Sequence, residues 1–100
     1  MRTYNVVRFK VKPGQEEKFI EAHRPDPGFQ GFRGGALVKT GDRSYCFIGE
    51  WESMDRLAAA RERMIGILDS FRDTLEDFGD GLGKTDPVSG EAVVIFDSSK

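Results

Sequence analysis

The side chains of this sequence that could move a proton or orient a polar ligand are few. His23 is the one histidine, so it is the group whose ordinary titration falls near neutral pH and the natural general acid or base. Its place beside Arg24, at the end of a short polar helix, also suits a surface residue or a helix-end cation. Trp51, the one tryptophan, ends an apolar run, and its indole N–H needs an acceptor whether the ring fills core or walls a cavity. Asn5, if its face of the strand turns inward, is a buried amide that requires hydrogen bonds. These three are the catalytic candidates. Phe32, Tyr45, Phe47 and Phe71, with Phe29, could wall a site for a small aromatic ligand, the plainer reading being core filling. Glu50 and Glu52 flank Trp51 and resemble a paired carboxylate site, although solvent-facing placement explains them more simply. Cys46 has no partner for an internal disulfide and reads as a small core hydrophobe. No spacing of Cys and His suits zinc and no run of aspartates suits calcium, so no metal site is expected.

The stretch "GDGLGKT" at 79–85 has the composition of a phosphate-binding loop but not its order. Gly79 and Gly83 are separated by three residues where the pattern needs four, and the loop should leave a strand and open a helix. Here an amphipathic helix precedes it, while Asp86-Pro87 and then Ser89-Gly90 follow as turn material. Gly79 or Gly81 is expected instead to end that helix in the left-handed conformation.

The elements that must position these residues follow from periodicity. "TYNVVRFKVK" alternates, with Asn5, Val7, Phe9 and Val11 on one face and Arg8, Lys10 and Lys12 on the other, as a half-buried strand does. Pro13-Gly14 breaks it. "QEEKFIEAHR" then reads as a short helix carrying Phe19, Ile20 and His23, with Glu16 and Glu17 in its first turn. The runs "FQGFRGGALVKT" and "SYCFIGEW" flank Gly41-Asp42 as a hairpin, Gly31, Gly34 and Gly35 marking a bulge or a close approach. Ser53 is placed to cap a long helix whose Leu57, Met64, Leu68, Phe71, Leu75 and Phe78 form one stripe. Gly66 is a point where that helix over 54–78 could bend or divide, and Arg72 and Glu76 are spaced to pair. A Gly-rich loop over 79–91 leads to "AVVIF" as the last strand.

One hundred residues, 38% apolar and 32% charged with a net charge of -2, fit a single ordinary globular domain over 1–100. Scattered cations argue against nucleic acid as a partner, and the longest apolar run is too short for a membrane span. A cytoplasmic location is the default. Strand, helix, strand, strand, helix, strand is the α+β, ferredoxin-like βαββαβ order, with a four-stranded antiparallel sheet under two helices. The third strand is apolar on both sides, Tyr45, Phe47 and Trp51 one way and Cys46 and Ile48 the other, so a second copy covering the free sheet face is expected, a homodimer.

Read together, these stretches resemble the antibiotic-biosynthesis-monooxygenase-like domains of the dimeric α/β-barrel superfamily over nearly the whole chain. "VRFKVKPGQEEKF" is similar to the family's first strand, Pro-Gly turn and helix, "PGFQGF" at 27–32 to the approach to strand two, and "GEWESMDRL" at 49–57 to the tryptophan-ended strand running into helix two. "TDPVSG" at 85–90 resembles a subset of these domains. The resemblance implies a small enzyme of the cofactor-independent oxygenase kind. There an electron-rich substrate anion itself reduces dioxygen, and the protein supplies a dry pocket and hydrogen-bond donors. It implies no cofactor, a dimer and an aromatic or enolisable substrate. Trp51 matches the family's tryptophan. The asparagine four residues before it in the polyketide oxidases falls on Phe47, and the strand-one asparagine of the haem degraders falls on Val7, two residues past Asn5. Met54 to Phe78 contains no histidine to hold haem. A non-catalytic dimer that binds a small ligand or serves a stress response is the alternative, and a haem-binding protein a third.

Overall fold

The protein is described here from a computed structural model, over residues 2–79 and 83–96. Alternation decides β1 (Thr3–Lys10): Thr3, Asn5 and Phe9 are buried, and Val11 continues that face just beyond the strand. A Pro-Gly turn delivers the chain to α1 (Glu16–Ala22), whose Phe19 is fully buried. Then come β2 (Phe32–Gly41), β3 (Ser44–Trp51), α2 (Met54–Phe71) and β4 (Asp86–Glu91). The sheet is antiparallel throughout, in the order β2-β3-β1-β4, the ferredoxin-like α+β arrangement expected.

The hairpin between β2 and β3 turns on Asp42 and Arg43. Arg43 adopts a left-handed φ of 55°, and its guanidinium compensates by donating to the Val11 carbonyl at 3.0 Å and pairing with Glu76. Glycine does what the spacing suggested: the β2–β3 register slips between Phe32 and Gly34, and any Cβ at Gly35 would strike the Ile48 carbonyl. Ser53 caps α2 by accepting the Arg56 backbone N–H at 3.2 Å.

Four expectations fail in the second half, for readable reasons. The helix passes Gly66 unbroken but ends at Phe71, where a single 3₁₀ turn (Arg72–Thr74) releases the chain into extended backbone. Leu75 still falls at helical spacing, yet it is buried by bridging Val11, with the Lys12 and Glu76 N–H groups bonded to Thr74 and Lys10 carbonyls at 2.8 Å. Gly79 therefore ends no helix; its N–H caps the Asp77 carboxylate at 2.7 Å, and Gly81 lies outside the described residues. Arg72 pairs with Asp69 rather than Glu76, which Arg43 has taken.

The last strand is "DPVSGE", not "AVVIF". An Arg8–Asp86 ion pair at 2.6 Å pins one end of β4, and Thr3 opposite Glu91 ends the ladder, so β1 has no residues left to pair with 93–96. Pro87 is tolerated because β4 is an edge strand. Val93 and Phe96 are 92% and 94% exposed.

Both helices cover one face. Buried residues form two clusters there: Phe9, Val11, Phe19, Tyr45, Phe71 and Leu75 under α1 and the end of α2, and Trp51, Leu57 and Ala60 under the start of α2. The opposite face carries Ala36, Ile48, Val6 and Val88 in one row across all four strands, with Cys46 half-buried beside them rather than in the core. Glu50, on that same face, is not simply solvated: Arg2 and Arg33 both approach its carboxylate at 3.2 Å.

Candidate functional site

Between the two clusters runs a cleft of about 1140 Å³, floored by the inward faces of the strands and roofed by α2 and the loop after α1. Trp51 and Asn5 stand on its floor. They reach each other because Asn5 lies opposite Gly49 in the β1–β3 ladder, two residues from Trp51 on the same face. The indole N–H donates to Asn5 Oδ1 at 2.8 Å, with Trp51 fully buried and Asn5 7% exposed. Indole nitrogen can only donate, so the Asn5 oxygen is fixed toward Trp51 and its NH₂ group is left over. Among the described residues no acceptor takes that NH₂. Asn5 thus lines the cleft with an uncommitted donor.

Gly49 makes this pair possible and was not singled out in the sequence. A Cβ there would sit 2.5 Å from Asn5 Oδ1 and 3.2 Å from Trp51 Nε1. The signal available was a glycine on the inward face of an otherwise bulky strand, between Phe47 and Trp51.

Aromatic side chains build the walls. Phe29 stacks on Trp51 with centroids 5.7 Å apart, Phe32 lies 5.0 Å from it, and Phe47 stacks on Phe32 at 6.5 Å. Phe71 lines the far end. Tyr45 does not line the cleft. It is buried on the other side of Phe19, where its hydroxyl donates to the Glu16 carboxylate at 2.6 Å, and burial pushes that phenol up while the Tyr45 and Lys39 contacts hold Glu16 low.

His23 is neither a surface residue nor a helix-end cation. It is half-buried against Phe9, Phe19 and Phe71, with ring centroids at 5.8, 4.6 and 4.6 Å. Burial lowers its pKa from 6.5, against a smaller opposing effect from the Phe19 carbonyl. That carbonyl lies 2.8 Å from Nδ1 and can only accept, so Nδ1 carries the proton of the neutral ring and Nε2 keeps a lone pair. His23 lines the same cleft as Asn5 but does not meet it: the Phe9 it packs on is four residues along β1 from Asn5, roughly 13 Å. The site is therefore extended, a donor at one end and a neutral base toward the other.

Among the described residues no three His, Cys, Asp or Glu side chains gather to hold a metal ion, and no helix is long and apolar enough to cross a membrane.

No family model matches the chain, and no curated protein matches it in sequence. Solved structures do match in shape. One, from Chloroflexus aurantiacus, is provisionally described as an antibiotic biosynthesis monooxygenase; it is 10% identical with a TM-score of 0.74, over 97% of this chain and 98% of that one. An asparagine-to-alanine variant of SnoaB, a cofactor-independent oxygenase from Streptomyces nogalater, is 17% identical with a TM-score of 0.69, over 94% and 95%. The ActVA-Orf6 monooxygenase of Streptomyces coelicolor, in complex with nanaomycin D, is 17% identical with a TM-score of 0.71, over 97% and 92%. At such identities the likeness speaks for architecture alone: the chain shares the ferredoxin-like fold of these proteins.

Proposed function

We propose that this single domain is a cofactor-free monooxygenase acting on an extended aromatic or enolisable molecule. The observation that carries the reading is the Trp51–Asn5 pair: a buried amide, oriented by an indole, that offers its NH₂ to a cleft walled around it largely by aromatic rings. Such a donor, once a bound ring system displaces water from it, favours a substrate oxygen in its anionic form. The neutral Nε2 of His23 is suited to take the proton released as that anion forms. The anion then reduces dioxygen, so that a ring methylene and O₂ become a ring carbonyl and water. A substrate touching both ends must be as long as several fused rings, and the Phe29, Phe32, Phe47 and Phe71 walls suit it. The fold shared with SnoaB and the ActVA-Orf6 monooxygenase supports the same reading.

The working form is a homodimer in the cytoplasm, joined through the outer sheet face, whose apolar row has a rim of charged pairs such as Arg8–Asp86.

Oxygen uptake with hydroquinones and anthrone-like polycycles tests the reaction. Turnover is expected, with Trp51→Phe reducing it at least tenfold at unchanged fold content, since it frees Asn5 to rotate. No uptake with any member of the series, or full activity in Trp51→Phe, overturns the reading. Phe47, at the position of the oxidases' asparagine, favours a second one, a dimer that binds such molecules without changing them. Ligand-raised melting temperature with no product would identify that case.

A further inference from the structure

The cleft has a charged feature that the reaction above leaves unused. Three of its lining residues are arginines: Arg24, Arg33 and Arg61. Arg24 is paired with Glu21 at 2.6 Å, and Arg33 with Glu50 at 3.2 Å. Arg61, on the face of α2 toward β4, has no carboxylate partner among the described residues; its contact is Nη2 to Ser89 Oγ, at 3.4 Å. Asp26, the acidic side chain among the described lining residues, lies on the loop after α1 and accepts the Gly28 N–H at 2.9 Å.

Ser89 is the residue directly across from Asn5 in the β1–β4 ladder, so their Cα atoms lie about 5 Å apart. The Arg61 guanidinium, the Ser89 hydroxyl and the Asn5 NH₂ thus form a line of donors along one side of the cleft. Leu57 and Met64, beside them on α2, offer only hydrocarbon and a thioether. Asn5 alone would suffice for one oxygen. Adding a guanidinium with no counter-ion, whose planar fork fits two oxygens at once, suits a second and permanently charged group.

Building on the monooxygenase reading, we propose that Arg61 is the specificity-determining residue of the cleft and that its ligands are aromatic acids. The carboxylate meets Arg61 and Ser89, while a ring oxygen ortho to it meets Asn5. Arg61 is exposed enough to retain its hydration until the ligand arrives, so it attracts anions to the mouth without the cost of a buried unpaired charge.

Calorimetric titration of the whole chain with an ortho-hydroxynaphthoate and with its neutral primary amide tests this, and needs no turnover. The acid is expected to bind roughly fivefold more tightly than the amide. Arg61→Gln is expected to bring the acid to the level of the amide while leaving the amide unchanged, and Arg61→Lys to keep part of the preference. Arg24→Gln, which removes a charge that Glu21 already balances, should leave the preference intact. Near 1 M salt, where the Debye length is about 3 Å, the preference should shrink. Equal binding of acid and amide by the unsubstituted protein, binding of neither, or a preference that survives Arg61→Gln would overturn the proposal. An Arg61-dependent preference in a protein that consumes no oxygen would uphold it and sink the oxygenase reading alone.

Discussion

Trp51 is a donor without an acceptor of its own, and that asymmetry lets one residue dictate what its neighbour presents to the cleft. Gly49 is the hinge of the arrangement, because it leaves room for the bond. Gly49→Ala is expected to push Asn5 and Trp51 apart and leave two buried polar groups poorly matched, lowering stability by about 1–3 kcal/mol in chemical denaturation. Unchanged stability would mean that the pair does not need the space. How far these residues could be read from the chain differed by kind. Asn5 was legible in part: strand alternation groups it with Val7, Phe9 and Val11, and the structure turns that face toward the helices. Gly49 was not, since the absence of a side chain matters only relative to what stands opposite. His23 misled because its neighbours in sequence, Glu21 and Arg24, are exposed, whereas its neighbours in space are Phe9, Phe19 and Phe71.

At the level of elements, α1 is held to the sheet by its last turn as much as by Phe19, since His23 wedges into the aromatic cluster. This gives a pH dependence with a definite sign. The folded pKa of His23 lies below 6.5, so between that lowered value and 6.5 the unfolded chain binds more protons than the folded one. Stability must rise with pH across the window and fall on acidification below about 6.5, by no more than about 1.4 kcal/mol per pH unit. His23→Gln is expected to flatten that limb in a denaturant–pH series. Glu16 and Asp73, whose pKa values are lowered by Tyr45 and by Lys18 respectively, lose stability at more acidic pH, below 4.5 and 3.8, and should do so in both proteins. Identical slopes near pH 6 would contradict the burial of His23. The first five elements were readable because each has a clean period and a Pro, Gly or Ser boundary. The end of α2 and the place of β4 were not: Leu75 keeps helical spacing after the backbone has changed partners, and "AVVIF" has strand composition but no β1 residues left opposite it.

For the molecule as a whole, the proposed dimer rests on the outer sheet row of Ala36, Ile48, Val6 and Val88. Ile48 and Val88 are each more than one-third exposed in the single chain. Sedimentation at micromolar concentration is expected to give about twice the 11.2 kDa of one chain, and Ile48→Asp to return it to one chain by placing a charge where two apolar rows meet. A species of 11.2 kDa alone in the unsubstituted protein would remove the dimer.

Because the sole indole is also the one that walls the cleft, the protein has a built-in optical gauge. Shielded from water and bonded to an amide, it should emit toward the blue, and a polycyclic guest stacked nearby should quench it. Occupancy could then be followed in real time without any label, before a single product has been identified.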